Sequence, residues 1–314
     1  HPAVRRILIL YAPIVVGLLV NQAAIWISYN LAILTGDNSV TYITYATTLY
    51  QFPLGLVVTA LSIATLPTLS QIVSAYHAVK QTDTAAAAAH VQEFKQTLAG
   101  GLRLIIALIL PATAGLFALA PAIIGLLLEH GQFTPQDTAV TAIALRVYLA
   151  GLPFAAIDMM LVFASYARKD TWRPAVVGVI SIVIYTITAV LLLEPFGLYS
   201  LMVADAVKHF THAMMMLWLL KRHLGGLRGF AIGQTTWKAV VASILTGLVA
   251  YGVGETAVAL IPFSGFLGKF LIVALAGGAG LLTFLALVQL LSISEVQALQ
   301  RTVTARLRRQ KPHK

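Results

Sequence analysis

Residues 99–128 read AGGLRLIIALILPATAGLFALAPAIIGLLL, and Arg103 is their only charged residue. As an α-helix this run is about 45 Å long, which exceeds the ~30 Å thickness of bilayer hydrocarbon. Unpaired backbone groups are too costly inside hydrocarbon, so such a run must be a helix or a strand of a closed barrel. It lacks the apolar–polar alternation of barrel strands. The run therefore predicts a membrane-spanning helix.

Similar runs recur along the whole chain. Hydrophobic residues make up 59% of the 314 residues and charged residues 10%, whereas soluble domains carry roughly a quarter charged residues. We therefore predict an all-α, polytopic membrane helix bundle and exclude a soluble domain. An alanine run at 85–89 also favours a helix within the connection 76–98. About eight transmembrane helices are predicted, at residues 7–34, 41–69, 99–128, 139–166, 175–193, 198–220, 236–257 and 268–291.

Basic and acidic residues alternate between successive connections. The net charge of +10 is spread over these connections instead of one face, so it indicates membrane topology and not a nucleic-acid partner. With eight spans every basic connection falls on one side, which the positive-inside rule places in the cytoplasm together with both termini. The basic connections carry Arg5, Arg6, Lys80, Lys95, Arg168, Lys169, Arg173, Lys221, Arg222 and Arg228. The opposite connections carry Asp37, Glu129, Asp137, Glu194, Glu255 and Lys269.

The two ends of the chain need separate treatment. Arg5 and Arg6 before an apolar run imitate a signal peptide, but the run continues to Leu34 without a small-residue cleavage site, so we predict a spanning helix. The first residue is not Met, which suggests a fragment or a processed chain. At the other end, residues 294–314 form a basic tail with apolar residues at helical spacing. This pattern favours an interfacial helix on an anionic leaflet, with a solvated tail as the alternative.

Several residues predict where helices begin and bend. Thr134, Pro135 and Asp137 form a helix start, with a Thr cap, Pro at the first position and an acid in the first turn. Prolines inside or near the spans should kink them and free backbone carbonyl groups. These prolines are Pro13, Pro53, Pro111 and Pro153.

Four ionisable residues lie well inside the predicted spans: Arg146, Asp158, Asp205 and Lys208. A charge in hydrocarbon is expensive, so each is a candidate functional residue. Asp205 and Lys208 are three residues apart on one helix face, where they could neutralise each other. Arg146 could extend to the headgroups, face an outward cavity or pair with Asp205. Asp158 lies toward the cytoplasmic end, where hydration is expected.

The sequence offers little for an enzyme. His209 and His212 are three apart, but a metal site would need a further ligand. Cysteine is absent, which excludes disulfides and Cys-based metal sites. No Gly-rich phosphate loop, nucleophile elbow or zinc-protease motif occurs. We therefore expect a membrane transporter without a cofactor or a metal.

Three segments in order carry a family resemblance: YATTLYQFPLG at 45–55 followed by LPTLS at 66–70, EHGQFT at 129–134, and YARKDT at 166–171 ending at a proline. Together they resemble the lipid II flippase family, called MurJ or MviN, in the superfamily of multidrug and lipid-linked oligosaccharide exporters. The motif positions are Thr47, Thr48, Pro53, Gly55, Pro67, Gly131, Phe133, Arg168, Lys169, Asp170 and Pro174.

The resemblance implies a domain organisation. The family has fourteen helices, in two six-helix lobes plus two extra helices, and this chain would be helices seven to fourteen. Residues 1–230 would then be the six-helix C-terminal lobe, 231–293 the two additional helices forming a groove for a polyprenyl tail, and 294–314 the basic cytoplasmic tail. The missing N-terminal lobe would lie in the same or another chain.

The resemblance also implies a function. The family moves lipid-linked peptidoglycan precursor, lipid II, an undecaprenyl-diphosphate type of substrate, across the bacterial cytoplasmic (inner) membrane by alternating access among membrane lipids. Arginines hold its diphosphate because their planar fork suits phosphate oxygens. If this chain transports, Arg146, Asp205 and Lys208 are the expected polar groups of its cavity. Arg168 and Lys169 are expected to anchor the cytoplasmic loop and not to gate substrate.

Two departures from the family pattern keep other functions open. Thr47-Thr48 stand where the family has Asp-Arg, so the diphosphate role of that arginine has no counterpart here. Some members bind a cation on their seventh and eleventh helices, where this chain has Ser28, Tyr185 and Ala189, a poor cation site. The alternatives are a non-transporting membrane scaffold of the cell-wall machinery and an exporter of another lipid-linked glycan.

Overall fold

The computed structural model describes residues 2–261 and 265–309, and the described chain is helical with no strand. The prediction of an all-α fold is therefore confirmed. A π-helical segment, Leu54–Thr59, joins the second and third α-helices. The α-helices are α1 Pro2–Ile33, α2 Ser39–Pro53, α3 Ala60–Val79, α4 Thr84–Leu128, α5 Pro135–Leu149, α6 Leu152–Ala167, α7 Trp172–Phe196, α8 Tyr199–Leu224, α9 Ile232–Leu260, α10 Phe266–Leu290 and α11 Ser294–Arg309.

The helices match the predicted spans with one difference in number. Six spans in the described chain are long and apolar enough to cross a membrane, and the bent pair α5–α6 makes a seventh. The one predicted span that is not among these seven, 198–220, corresponds to α8. This helix has 26 residues, which is long enough, but it carries Asp205, Lys208, His209 and His212. Its polar side chains lower its hydropathy, so its crossing of the membrane stays a prediction.

Two of the spans are interrupted, both next to a proline. The π-helical segment begins directly after Pro53, and the helix then continues to Val79, ten residues beyond the predicted end of this span at residue 69. The predicted span 139–166 is two helices bent by 46°. Gly151 and Pro153 lie at that bend, where Pro removes a backbone donor. The kink predicted at Pro153 is confirmed, whereas at Pro53 the structure shows a change to π-helical geometry.

The connection predicted at 76–98 is almost entirely helical. Helix α3 ends at Val79 and α4 begins at Thr84, where the Asp83 side chain accepts hydrogen bonds from the amides of Ala85 and Ala86. Helix α4 has 45 residues, so its first four turns precede the apolar run. At the opposite end of α4, a capping box between Thr134 and Asp137 starts α5, as predicted.

Helices α1–α8 share one apolar core, in which Leu98, Leu102, Leu145 and Leu201 are almost fully buried. Helices α9 and α10 pack on α4 and on each other. A Cβ atom on Gly247 would lie 3.3 Å from the Cβ of Ala114, so this glycine permits close packing of α9 on α4. The predicted domain bounds of 1–230, 231–293 and 294–314 agree with this packing but stay predictions.

Helix α11 confirms the helix predicted in the basic tail. Ile293 and Val296 are buried in a small cluster with Phe284 of α10. The guanidinium of Arg103 on α4 lies 3.0 Å from the carboxylate of Glu295. The first turns of the tail are therefore attached to α4 and α10 instead of being fully solvated.

Candidate functional site

A network of charged side chains lies on one face of α8. The Asp205 carboxylate forms an ion pair with the Lys208 ammonium and lies 3.6 Å from His209 Nε2. All three side chains are mostly buried, with exposed fractions of 16%, 17% and 23%. The mutual neutralisation considered from the sequence therefore occurs. Because residues three and four apart share a helix face, one carboxylate can contact both side chains.

The network continues to the neighbouring helix α6. Asp158 hydrogen-bonds Nδ1 of His212, one turn after His209 on α8, and both side chains are 13% exposed. Asp158 was expected to be hydrated, and no histidine partner was predicted for it. Helical spacing at 205, 209 and 212 does place both imidazoles on the face of the Asp205–Lys208 pair, but it does not show that Asp158 reaches His212.

A cavity of about 480 Å³ borders this network. It lies among α1, the π-helical segment, α6, α7 and α8. Asp158, Lys208, His209 and His212 line its polar side, while Met159, Val162, Phe163, Leu18 and Ile182 line the apolar side. Asp205 is not among the lining residues, but it forms the ion pair with Lys208, which is one of them. The cavity thus combines charged groups with apolar walls, as expected of a site for an amphipathic ligand.

The three positions that match a cation site in some family members lie beside this network. Tyr185 and Ala189 are buried on α7, and Ser28 faces them from α1. The Lys208 ammonium lies 5.7 Å from the centre of the Tyr185 ring, so this chain supplies its own cation there. Among the described residues no group of three His, Asp or Glu side chains is arranged to hold a metal ion.

Arg146 lies apart from the network. Its Nε donates a hydrogen bond of 3.0 Å to the carbonyl of Phe117, and its guanidinium lies 5.3 Å from the centre of the Phe117 ring. The pairing of Arg146 with Asp205 considered from the sequence is wrong, because Asp205 is held by its own helix. Arg146 instead lines a separate cavity of about 280 Å³ among α4, α5, α9 and α10.

This outer cavity contains a second ion pair. The Lys269 ammonium at the start of α10 lies 2.8 Å from the Glu129 carboxylate at the end of α4. The hydrogen bond from Lys269 lowers the pKa of Glu129, and a further one from Thr138 acts in the same direction against the effect of burial. Glu255 of α9 also lines the cavity. The ion pair therefore joins α10 to the C-terminal end of α4.

The first family motif lies on α2 and its π-helical continuation. Thr47 is half-buried, and Thr48 is exposed with its hydroxyl donating to the carbonyl of Thr44. Pro53 is buried at the start of the π-helical segment, Gly55 is exposed within it, and Pro67 is exposed on α3. Thr48 therefore offers only a weak polar group on an exposed helix face, where an arginine would present a full positive charge.

The second motif lies in the connection between α4 and α5 and packs against α2. The Phe133 ring packs edge-on against Tyr45, with the ring centres 5.8 Å apart. Gly131 has a φ of +63°, which a glycine adopts without strain. The hydroxyl of Tyr42 donates to Asp137, the residue that closes the capping box of α5. These motif positions maintain structure in this chain.

The third motif makes the turn between α6 and α7. Asp170 accepts a 2.9 Å hydrogen bond from Arg173, and Pro174 is buried in the first turn of α7. Lys169 is exposed, with a φ of +59°. Arg168 is half-buried, and no carboxylate of the described chain lies within ion-pair distance of it. The anchoring role expected of Arg168 and Lys169 stays a prediction, although Asp170 and Arg173 hold this turn.

Comparison with known proteins finds a matching family and similar bacterial proteins. The sequence profile of the family described as "Lipid II flippase MurJ" matches residues 1–273. A probable lipid II flippase MurJ of Bdellovibrio bacteriovorus is 28% identical over 252 residues, which are 80% of this chain and 46% of that protein. A similar protein of Haemophilus influenzae is 30% identical over 213 residues, 68% of this chain and 40% of that protein.

A solved structure is also similar. It is a lipid II flippase MurJ in an inward closed conformation, with a TM-score of 0.67 and 22% sequence identity, covering 91% of this chain and 54% of that chain. At this identity the likeness concerns the fold. The chain spans about half the length of the curated relatives it matches.

Proposed function

This chain belongs to the lipid II flippase MurJ family, and from that premise we propose that it forms the second half of a lipid II flippase. In this proposal it works by alternating access in the bacterial cytoplasmic membrane, with both of its termini in the cytoplasm. The substrate is a lipid-linked peptidoglycan precursor of the undecaprenyl-diphosphate type. The chain moves this substrate and catalyses no covalent step.

One observation carries the proposal: a charged network borders a cavity inside a helical membrane lobe. Charges at this depth are expensive, so structure alone does not favour keeping five ionisable side chains there. Asp158, Lys208 and His212 line the cavity, which mixes polar and apolar walls. Such a cavity lowers the cost of moving a sugar-peptide headgroup through hydrocarbon. We propose Lys208 and Asp205 as polar groups of the transport cavity, with Arg146 acting at the outer cavity.

Exposed polar residues of α2 and α3 support the proposal that a first lobe completes the transporter, in the same or another chain. Thr44, Thr48 and Gln51 are exposed on α2. Thr68, Gln71 and Ser74 are exposed on α3. This many exposed polar side chains are unfavourable against lipid chains. They suit the wall of an aqueous cavity between two lobes.

The additional helices fit a different part of the substrate. Leu248 and Val258 of α9 and Leu281 and Leu282 of α10 are large, apolar and exposed. In a membrane such a surface contacts acyl chains, and it can equally contact the polyprenyl chain of a lipid-linked substrate. We propose that residues 231–293 guide this tail while the headgroup passes through the cavity.

A second candidate function is a non-transporting membrane scaffold of the cell-wall machinery. The observation that favours it is Thr48, which is exposed where the family has an arginine and provides no charge for a diphosphate. A scaffold would keep the fold, including the structural contacts of Phe133 and Asp170, and lose the substrate groups. Export of another lipid-linked glycan is a third candidate. The polar and apolar groups of the cavity suit an amphipathic ligand, but they do not specify which sugar it carries.

The decisive experiment measures headgroup accessibility in vesicles that contain the chain together with its first lobe. We expect protein-dependent movement of lipid II, reduced at least tenfold by Lys208→Gln, because the variant removes the cation of the network. Lys221→Gln is the matched control, since Lys221 is exposed at the cytoplasmic end of α8. No movement by the unsubstituted protein would favour the scaffold. Competition by other undecaprenyl-diphosphate glycans would identify a different substrate.

A further inference from the structure

A third cavity, of about 380 Å³, lies at the cytoplasmic ends of α3, α4, α6 and α8. We call it the basic cavity, because its polar lining consists of cationic, imidazole and phenol side chains. Its floor is apolar and includes Ile72, Val73 and Phe94. Its polar lining is Tyr76, His77, Lys80, His90, Arg168 and His223.

No carboxylate lines the basic cavity. Two acids on its elements have other partners: Glu93 lies 3.1 Å from His90 of the lining, and Asp170 binds Arg173. Within the described chain, Arg168 and Lys80 have no carboxylate at ion-pair distance. The Lys80 ammonium instead lies 5.7 Å from the centre of the Tyr76 ring. Arg168 and Lys80 therefore bring positive charge to the cavity without a carboxylate partner of their own.

His223 and Lys95 complete the polar surroundings of this site. Nδ1 of His223 lies 2.7 Å from the carbonyl of Leu219, and a carbonyl only accepts, so Nδ1 carries the hydrogen. In the neutral ring Nε2 is then an acceptor, so His223 offers no donor to an anion there. The Lys95 ammonium lies beside Gly225, the residue that ends α8, and brings another cation to the same end of the bundle.

Cytoplasmic basic residues alone would only report membrane topology. Arg168 differs from a topological charge because it is half-buried. Burial lowers the pKa of its guanidinium, and the nearby Asp170 only partly opposes this effect. A desolvated cation that has no ion-pair partner costs free energy, which an anion in the cavity would offset. The basic cavity therefore has the properties of an anion-binding site.

We propose that the basic cavity binds a phosphate-bearing anion, and specifically the headgroup of an anionic phospholipid of the cytoplasmic leaflet. A planar guanidinium and an ammonium match phosphate oxygens, and the phenol of Tyr76 adds a donor. The apolar floor and the position at the helix ends suit a headgroup whose chains remain in the bilayer. A soluble phosphate compound shares the headgroup chemistry. This site does not require the chain to transport anything.

The test uses the full chain purified in a neutral detergent and two probes, short-chain phosphatidylglycerol and pyrophosphate. Binding is measured by titration against a short-chain phosphatidylcholine reference. We expect the Kd for phosphatidylglycerol to rise about tenfold in Arg168→Gln, the loss of one charge-assisted contact. Arg168→Lys should lose less, because it keeps the charge without the planar fork. Arg222→Gln is the matched control, since Arg222 stacks on Trp218 outside the basic cavity.

Selective weakening in Arg168→Gln, with Arg222→Gln unchanged, supports the proposal. Phosphatidylglycerol as the tighter probe identifies the lipid, and pyrophosphate as the only probe bound overturns the lipid headgroup in favour of a soluble phosphate. Equal weakening in both variants overturns the site, because it shows general attraction to a basic surface. If Arg168→Gln does not fold, Lys80→Gln provides the same comparison from the exposed end of α3.

Discussion

Each of the four candidate residues predicted well inside the spans has a partner in the structure. Asp158 contacts His212, Asp205 and Lys208 contact each other, and Arg146 binds a backbone carbonyl. The sequence identified all four because intramembrane charge is conspicuous, and it predicted the Asp205–Lys208 pair from spacing. It could not predict the Asp158–His212 pair. That contact depends on how α6 crosses α8, and one sequence does not fix this crossing.

The first residue-scale prediction concerns this pair between helices. Asp158→Asn removes the carboxylate that holds His212 while both positions stay mostly buried. Breaking such a pair should lower the unfolding free energy by about 3 kcal/mol, measured as a lower melting temperature in detergent. Asp37→Asn, at an exposed position, serves as the control. The assignment fails if the double variant Asp158→Asn/His212→Gln is no more stable than Asp158→Asn alone.

The second residue-scale prediction concerns pH and the Glu129–Lys269 pair. Because Lys269 lowers the pKa of Glu129, ionised Glu129 stabilises the fold above its ordinary pKa of 4.5, and this contribution is lost as pH falls through the lowered pKa. Lys269→Gln should raise that pKa toward its ordinary value. The variant should therefore melt below the unsubstituted chain at neutral pH, and the difference should shrink on acidification.

The matched control for this pH dependence is Lys238→Gln. The Lys238 ammonium donates to the carbonyl of Ser292, a group that does not titrate. Its substitution should lower the melting temperature by an amount that does not change with pH. Arg146 and Glu255 line the same cavity as the Glu129–Lys269 pair. A pH-independent difference for Lys269→Gln would contradict the assignment of the acid sensitivity to the Glu129–Lys269 pair.

At the scale of helices, the sequence predicted where the helices lie better than where each helix is interrupted or extended. The bend at Pro153 and the irregular turn after Pro53 follow from the missing donor of proline. The π-helical geometry of Leu54–Thr59 does not follow, because it depends on packing against α3, α4 and α6. The long extension of α4 was also missed as a continuous helix. Its alanine-rich first turns look like a connection when hydropathy is the guide.

The element-scale prediction concerns the contact of α10 with α9. A Cβ atom on Gly280 would lie 3.2 Å from the Cβ of Ala250, whereas one on Gly278 would have no neighbour within 4 Å. Gly280→Val should therefore lower stability by about 1–3 kcal/mol through overpacking, measured by thermal melting in detergent. Gly278→Val adds the same side chain to the same helix and should cost less. Equal losses would mean that helix propensity, and not packing, sets the effect.

For the whole molecule, the all-helical membrane fold was accessible from composition and run length, and the family from three short motifs. The sequence could not predict which polar side chains are exposed and which ones line a common cavity. The polar residues of α2 and of the first half of α3 read as parts of one apolar run, 41–69. Only the fold shows that Thr48, Gln51 and Gln71 are exposed. The basic cavity was equally hidden, because its residues come from four helices.

The molecule-scale prediction tests whether α8 crosses the membrane. The chain has no cysteine, so an introduced thiol is unique and can be labelled with a membrane-impermeant maleimide in intact cells. Gln132→Cys and Glu194→Cys, at exposed positions on the acidic side, should be labelled. Lys80→Cys and Arg222→Cys should be labelled only after the cells are permeabilised. The reason is the positive-inside rule, which holds along the chain if α8 is a span.

Arg222→Cys is the informative position in this series, because it lies at the end of α8 opposite Glu194 of α7. If α8 spans, its Asp205–Lys208 pair lies at membrane depth, and the cost of that depth is offset by mutual neutralisation and by the polar cavity. If Arg222→Cys were labelled together with Glu194→Cys, α8 would not cross the membrane. Its charges would then need no functional explanation, and the transport cavity proposed beside them would lose its main support.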